Sequence, residues 1–322
     1  LFWKERGNNM TFKIITLGCK VNIYESEVMK EKLLQAGFKE TIDNSDIVII
    51  NTCSVTNMAD VKSRKMIRRE KKENPQSILV VCGCSAENHR LELEDLGIDI
   101  LIGNKDKSNI VSLIQEYQNS HKPITKFYDT RKLPFEDMEV DKFTSHTRGF
   151  IKIQDGCNNY CSYCIIPYVR GNIRSKDIDV ALKEAKELVA NNHKEIVLTG
   201  IHTGSYGVGY DFDLVDLINK MSTIPGLKRI RLSSIEITEL NDKFMELLKN
   251  NPILCDHLHI PLQSGSEKVL KLMNRKYDKA RYESIINQIR AIRPEISITT
   301  DVIVGFPGET ESDFNECLDF CK

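Results

Sequence analysis

The chain has 322 residues, 41% of them hydrophobic and 28% charged, with 45 basic against 46 acidic side chains for a formal charge of −1. That composition gives room for two hydrophobic cores and excludes a disordered chain, a collagen-like repeat and a strong polyelectrolyte. No apolar run approaches the roughly 18 residues of a membrane-spanning helix, and the first ten residues lack the apolar core of a secretion signal. Ten cysteines, several at metal-like spacing, point to a reducing cytoplasmic setting and a cofactor rather than disulfides.

Residues 1–10 read as an upstream or tag-like segment, with Met10 just before the first strand. Residues 11–118 then alternate short β-branched runs with helical stretches: strands at 12–17, 46–50, 77–81 and 101–103, helices at 25–36, 59–72 and 110–117. Such alternation predicts an open parallel sheet with right-handed crossovers. Cys19, Cys53 and Cys84 each follow a different one of these strands. In an open parallel sheet the carboxyl ends of the strands share one edge, where ligands bind, so the three thiols are expected to meet there as a cluster site. The other reading is three buried core cysteines, free Cys being among the most buried residue types. Cys82 falls inside its strand and reads as core, with a role as fourth ligand the alternative. The helix after Cys53 carries Lys62, Arg64, Lys65, Arg68, Arg69, Lys71 and Lys72 beside Glu70 and Glu73. This helix reads either as a phosphate-contacting face or as an ordinary solvated one.

Residues 119–147, of mixed charge with Pro123 and Pro134, read as a linker. From 148 to 322 a β/α repeat follows, with strands at 148–154, 195–199, 228–232, 257–260 and 297–304. Helices fall between them at 178–191, 213–221, 241–249, 266–273 and 280–292, and a last one starts at 311. This is a partial barrel, whose chemistry belongs in the loops after the strands.

The first of those loops holds Cys157, Cys161 and Cys164 as Cys-x-x-x-Cys-x-x-Cys. Soft thiolates select zinc, copper(I) or iron–sulfur clusters. A structural zinc wants four ligands, so three thiols suit a four-iron cluster with one iron left open; a zinc knuckle short of one ligand is the alternative. The spacing, with Tyr163 before the last cysteine, resembles the radical S-adenosylmethionine (SAM) superfamily. Leu17-Gly18-Cys19-Lys20-Val21-Asn22, Asn51-Thr52-Cys53-Ser54-Val55-Thr56 and Cys82-Gly83-Cys84-Ser85-Ala86-Glu87 extend the likeness to the methylthiotransferase family over residues 11–322. Lys20-Val21-Asn22 resembles the branch acting on N6-threonylcarbamoyladenosine in tRNA, where the isopentenyladenosine branch has Gln-Met-Asn.

The resemblance implies two 4Fe–4S clusters, one on Cys19, Cys53 and Cys84 and a SAM-binding one on Cys157, Cys161 and Cys164. It implies 2-methylthiolation of threonylcarbamoyladenosine at position 37, beside the anticodon. The alternatives are isopentenyladenosine, a ribosomal-protein aspartate, or an iron–sulfur protein without turnover. Its partners would be a tRNA anticodon stem–loop, a low-potential electron donor and a sulfur source, with no membrane. Thr199, Gly200, Ser234, Glu236 and Gln263, in strand-end loops, are its candidate SAM contacts; Ile237 stands where the family has proline. His202, His257 and His259 read as loop or core histidines. The family's members continue with a further barrel unit and a small β-rich RNA-binding domain, so the chain reads as C-terminally truncated against them.

Overall fold

The computed structural model describes residues 10–144 and 146–322. They divide into two compact units, one of residues to Val140 together with Tyr168–Asn172, the other of Asp141–Pro167 and Ile173–Lys322.

The first unit is a six-stranded, all-parallel sheet. In chain order it runs β1 (Thr11–Thr16), α1 (Lys20–Gln35), β2 (Lys39–Glu40), β3 (Ile47–Thr52), α2 (Asn57–Glu73) and β4 (Ile78–Gly83). Then come the short helices α3 (Cys84–Asn88) and α4 (Arg90–Glu94), β5 (Ile100–Ile102), α5 (Ile110–Ser120) and β6 (Ile124–Lys126). Strand order is β2-β1-β3-β4-β5-β6, so the three strands that precede cysteines lie side by side in the middle. Because successive side chains point to opposite faces, β3 and β4 serve two cores. Ile47, Ile49, Ile78, Val80 and Cys82 pack on one face with Phe12, Met29 and Leu113. Val48, Ile50, Leu79 and Val81 pack on the other with Ile67, Ala86 and Leu93.

The unit departs from the sequence expectation at its ends. Met10 is fully buried in the first of these cores and its carbonyl accepts from the Lys39 amide, so it belongs to the fold. Residues 1–9, read as an upstream segment, lie outside the described residues. Residues 124–126, expected within a linker, form the edge strand β6, paired to β5 through Ile124↔Ile100. With one buried apolar side chain, and Pro123 just ahead of it, β6 has no alternation to betray it.

The second unit carries β7 (Gly149–Lys152), the small antiparallel pair β8 (Gln154–Asp155) and β9 (Arg174–Ser175), α6 (Ile166–Arg170, whose last residues count with the first unit), α7 (Ile178–Ala190) and β10 (Glu195–Thr199). It continues through α8 (Leu214–Ser222), β11 (Arg229–Leu232), α9 (Asp242–Asn250), β12 (His257–His259), α10 (Glu267–Leu272), α11 (Lys279–Ile292), β13 (Ser297–Thr299) and α12 (Glu311–Cys321). β7, β10 and β11 form one parallel ladder and β12 with β13 another; the parallel bridges Ile230↔Leu254 and Ser234↔His259 join them into an open barrel wall. The last strand, expected over 297–304, is three residues long. Pro261 has no N–H to continue the β12–β13 ladder, and pairing resumes once, at Gln263↔Val302. Among the described residues no helix is long and apolar enough to cross a membrane.

Candidate active site

Cys53 and Cys84 stand immediately beyond β3 and β4, and Cys19 three residues beyond β1; the three strands are parallel neighbours. The loops are shaped to bring them together. Gly18 has φ +108°, and a Cβ there would lie 2.7 Å from the Cys53 Cβ, so only glycine lets the first loop pass this close. Gly83, at φ +101°, turns the chain from β4 straight into Cys84 and α3; a Cβ would lie 2.5 Å from the Thr52 carbonyl oxygen. The Asn22 amide donates to the carbonyls of Leu17 (2.7 Å) and Thr52 (2.9 Å), clamping two of the loops. Ser63 on α2 holds the Cys53 backbone at both N–H (3.1 Å) and C=O (2.9 Å). Cys53 is raised above the ordinary thiol range, first by burial, with the charges of Cys84 and Cys19 adding to it.

Beside these thiols lies a buried polar network that no local sequence pattern predicts. Arg170 donates through Nε to Cys84 Sγ (3.3 Å), through Nη2 to Asn22 Oδ1 (2.9 Å) and through Nη1 to Glu25 Oε1 (2.9 Å). Lys107 pairs with the same Glu25 and donates to Asn104 Oδ1 (3.2 Å), while the Asn104 amide reaches Cys84 Sγ at 3.7 Å. Arg170, Lys107 and Glu25 are all fully buried. Cys82 points the other way, into the core, with its thiol pushed up to about 12 by burial.

In the second unit Cys157, Cys161 and Cys164 share one loop after β8, all half-buried. The loop is fastened by its backbone. The Ser162 N–H donates to the Met273 carbonyl (3.1 Å), the Ser162 hydroxyl to Leu272 (2.8 Å), and the Asn274 amide to Tyr160 (2.9 Å). Arg275, in the same turn after α10, donates to Cys161 Sγ (3.3 Å), pairs with Glu236, and stacks 4.9 Å over the Tyr277 ring. His202 Nδ1 lies 3.8 Å from Cys157 Sγ and Nε2 faces Glu239. Burial works against the imidazolium, but the bonds to Cys157 and Glu239 outweigh it and lift His202 to about 10. Burial pushes the Cys164 thiol up to about 11.

The predicted SAM contacts fall on the carboxyl-end loops of this unit. Thr199 ends β10, its hydroxyl bonded to Ser233 at 3.1 Å. Gly200 is packed against Gln154, which accepts from the His202 N–H (2.7 Å) and donates to the Gly156 carbonyl (2.7 Å), tying this loop to the cysteine loop. Ser234 bridges to His259, and Gln263 adopts φ +66° where pairing resumes. The Glu236 carboxyl is raised by burial, against the pull of Arg275. His202, expected as a loop or core residue, is a loop residue in contact with a motif cysteine; His257 and His259 reach Thr299. Arg170, Lys107, Glu25, Arg275 and Gln154 were missed. The one signal in the sequence is an arginine, Arg170, closing the otherwise charge-free stretch after Cys164.

Among the described residues no group of three or more His, Cys, Asp or Glu side chains is gathered as a ready site for an ion. A four-iron cluster does not need that, because its thiolates sit on separate irons and stand further apart than the ligands of one ion. The donor chemistry fits such a group in both units: three free thiols feel one another's charge, and a buried guanidinium faces one sulfur of each set.

Comparison with known proteins places the chain in a family. The family model "Radical SAM superfamily" matches residues 151–321, and "Uncharacterized protein family UPF0004" matches 11–103. The chain is 42% identical to the threonylcarbamoyladenosine tRNA methylthiotransferase MtaB of Bacillus subtilis, over 95% of this chain and 69% of that protein. It is 39% identical to the MtaB of Thermotoga maritima, over 97% and 72%. It is 36% identical to a tRNA-2-methylthio-N(6)-dimethylallyladenosine synthase of Clostridium tetani, over 99% and 72%. Among solved structures, the radical S-adenosylmethionine methyltransferase TsrM of Kitasatospora setae shares the fold, with TM-score 0.66 and 16% identity, over 96% of this chain and 70% of that one. The radical SAM fold implies one iron–sulfur and SAM site. The chain belongs to the radical SAM methylthiotransferase family, whose members here modify an adenosine-type residue of tRNA.

Proposed function

We propose that the chain converts N6-threonylcarbamoyladenosine at position 37 of tRNA to its 2-methylthio derivative, using two 4Fe–4S clusters. Cys157, Cys161 and Cys164 would hold the SAM-binding cluster; Cys19, Cys53 and Cys84 would hold the cluster that handles the sulfur. The observation that carries the reading is the doubled arrangement of three free thiols, one set on three adjacent strand ends and the other in the loop after β8. Threonylcarbamoyladenosine rather than dimethylallyladenosine is favoured by Lys20-Val21-Asn22 and by identities of 42% and 39% to two MtaB proteins, against 36% to a dimethylallyladenosine synthase.

When bound, the cluster and SAM supply one-electron cleavage of the sulfonium, chemistry no side chain offers. The protein's part is orientation and charge. Arg275 holds Cys161 and, with Tyr277, walls the loop; Gln154 fixes the Thr199–Gly200 turn beside it. Thr199, Gly200, Ser234, Glu236 and Gln263 are assigned to SAM by their place at the strand ends. In the first unit Arg170 and Asn104 hold Cys84, while Gly18, Asn22 and Ser63 set Cys19 and Cys53 beside it. A low-potential reductant, a sulfur source and the tRNA anticodon stem–loop complete the reaction, in the cytoplasm. The test is mass spectrometry of tRNA nucleosides from cells with and without the gene. Loss of 2-methylthio-threonylcarbamoyladenosine alone is expected; loss of only the isopentenyl derivative would move the chain to the other branch.

A further inference from the structure

The outward face of α2 carries four cations that the protein itself does not use. Each carboxylate of the helix is already engaged. Asp60 pairs with Arg64 (3.3 Å) and His89 (2.8 Å), Glu70 with Lys13 (2.7 Å), and Glu73 with Arg69 (2.9 Å). Arg64 also reaches Glu92 (3.5 Å), and Lys71 donates to the Gly97 carbonyl. Lys62, Lys65, Arg68 and Lys72 remain exposed, and no carboxylate among the described residues approaches them within ion-pair distance. Residues 65, 68 and 72 follow the three- and four-residue spacing of one helix face, and Lys62 lies beside them. From Lys62 to Lys72 the stripe is about 15 Å long. Val61, Arg64, Lys65 and Arg68 line a shallow concavity of about 340 Å³ along it. At the end nearest Cys53 the surface changes character: Val55, Met58 and Val61 are 50%, 78% and 46% exposed.

We infer that this face is an RNA-docking surface, with Lys62, Lys65, Arg68 and Lys72 on successive phosphates of the anticodon stem. The apolar Val55 and Met58 lie toward the unstacked loop nucleotides at the Cys53 end. The inference rests on the reading of the chain as a tRNA-modifying enzyme. Phosphates reward a row of unneutralised cations through counterion release, and single-stranded loops are where bases are open to a protein. The row is linear and single-signed although the whole chain has a formal charge of −1, so the basic charge is concentrated rather than spread.

The test is fluorescence-anisotropy binding of a labelled anticodon stem–loop transcript, and of full-length unmodified tRNA, across a salt series. Three proteins are compared: the parent chain, the Lys62→Gln/Lys65→Gln/Arg68→Gln/Lys72→Gln variant, and a control with Lys122, Lys194, Lys220 and Lys249 changed to Gln. Those control lysines are likewise exposed but lie outside α2, two of them on other helices and two in loops. The α2 variant is expected to lose at least about tenfold in affinity near 0.1 M salt and to converge with the parent near 1 M. Its log–log salt slope should shrink by about three, at roughly 0.7–0.9 per lost phosphate contact. The control should keep the parent's slope. An α2 variant with the parent's affinity and slope, or equal losses in both variants, would overturn the inference. If the parent methylthiolates tRNA while the α2 variant binds unchanged, only the docking face falls; a parent that binds no tRNA overturns the face and the functional reading together.

Discussion

Glu25→Gln should be the most damaging single isosteric change in the first unit. Glu25, Lys107 and Arg170 are each 0% exposed, and one carboxylate serves both cations. Gln keeps the shape of the side chain, so packing stays and only charge is lost. Two buried cations then face each other without their shared counter-ion. Breaking a buried pair from one side costs about 3–5 kcal/mol, and here one substitution breaks two attractions, so about 4 kcal/mol is a fair expectation. That is a large part of the about 5–15 kcal/mol that holds a domain folded. At roughly 2–4 °C per kcal/mol for a unit of this size, the unfolding midpoint should fall by about 8–16 °C. Arg170→Met should cost less, because Glu25 and Lys107 remain as a neutral pair; the loss is then the hydrogen bonds to Asn22 and Cys84. The double variant Glu25→Gln/Lys107→Met removes one charge of each sign and should recover at least about 1 kcal/mol relative to additivity. Calorimetry and urea unfolding of the parent, the single variants Glu25→Gln, Lys107→Met and Arg170→Met, and the double variant measure this. A Glu25→Gln cost under about 1 kcal/mol, or strict additivity in the double variant, would refute the account of a shared counter-ion.

Reconstituted anaerobically, the parent is expected to hold about eight irons as two four-iron clusters. Changing Cys157, Cys161 and Cys164 to Ala should halve that and stop SAM cleavage. Changing Cys19, Cys53 and Cys84 should halve it and leave cleavage measurable. Cys82→Ala should keep all the iron, and full retention in either triple variant would break the ligand assignment. Arg275→Met removes a cation 3.3 Å from the Cys161 sulfur, so the midpoint potential of the cluster in that loop should fall, as read by potentiometric EPR; an unchanged potential would reduce Arg275 to packing. Burial tends to raise Glu195, but bonds from Arg231 and Arg229 outweigh it and hold its carboxyl below the ordinary value. Its stabilising contribution is therefore full above the unfolded value of about 4.3 and is lost as pH falls through the lower folded value. Acid unfolding followed below about pH 5 should show the parent losing more stability than Glu195→Gln; parallel curves would contradict the assignment.

The fold was legible wherever apolar side chains kept a period. β3 and β4 are buried on both faces, and their unbroken apolar runs, Ile47 to Ile50 and Ile78 to Val81, announce central parallel strands. The start of α1 was not legible. The helix begins at Lys20, five residues before its expected start, because its first turns bury Asn22, Glu25 and Ser26 alongside Val21 and Tyr24, and those polar side chains blur the apolar pattern. Buried polar groups give no amphipathic signal; they are recognisable only once their partners are known, and those partners lie 82 residues away at Lys107 and 145 away at Arg170. The same reasoning separates the cysteines from their surroundings. Thiols at the ends of three strands can be placed from strand order alone, since the backbone brings them to one edge. Which cation faces which sulfur depends on long side chains from distant loops, and no local pattern encodes it.

The two thiol sets were built on unrelated local frames, yet each solves the same electrostatic problem in the same way. Burial raises the pKa of Cys53 in one unit and Cys164 in the other, which opposes formation of the thiolates that metal binding requires. A cation beside the sulfur counters this: Arg170 on Cys84, Arg275 on Cys161, both at 3.3 Å. An uncompensated buried guanidinium would itself be costly before any metal arrives. Each arginine accordingly has a carboxylate at its other side, Glu25 and Glu236, so the thiol form is tolerated as well as the thiolate form. The glutamates cannot be replaced by a more polar solvent shell, because Glu25 is fully enclosed and burial already raises Glu236. Arginine suits this role better than lysine, since its planar fork reaches a sulfur with one N–H and a carboxylate with another while staying charged in a buried setting. The arginine–glutamate pair is thus part of the cysteine site, and a set of three cysteines transplanted without it should bind iron less completely than the same set with it.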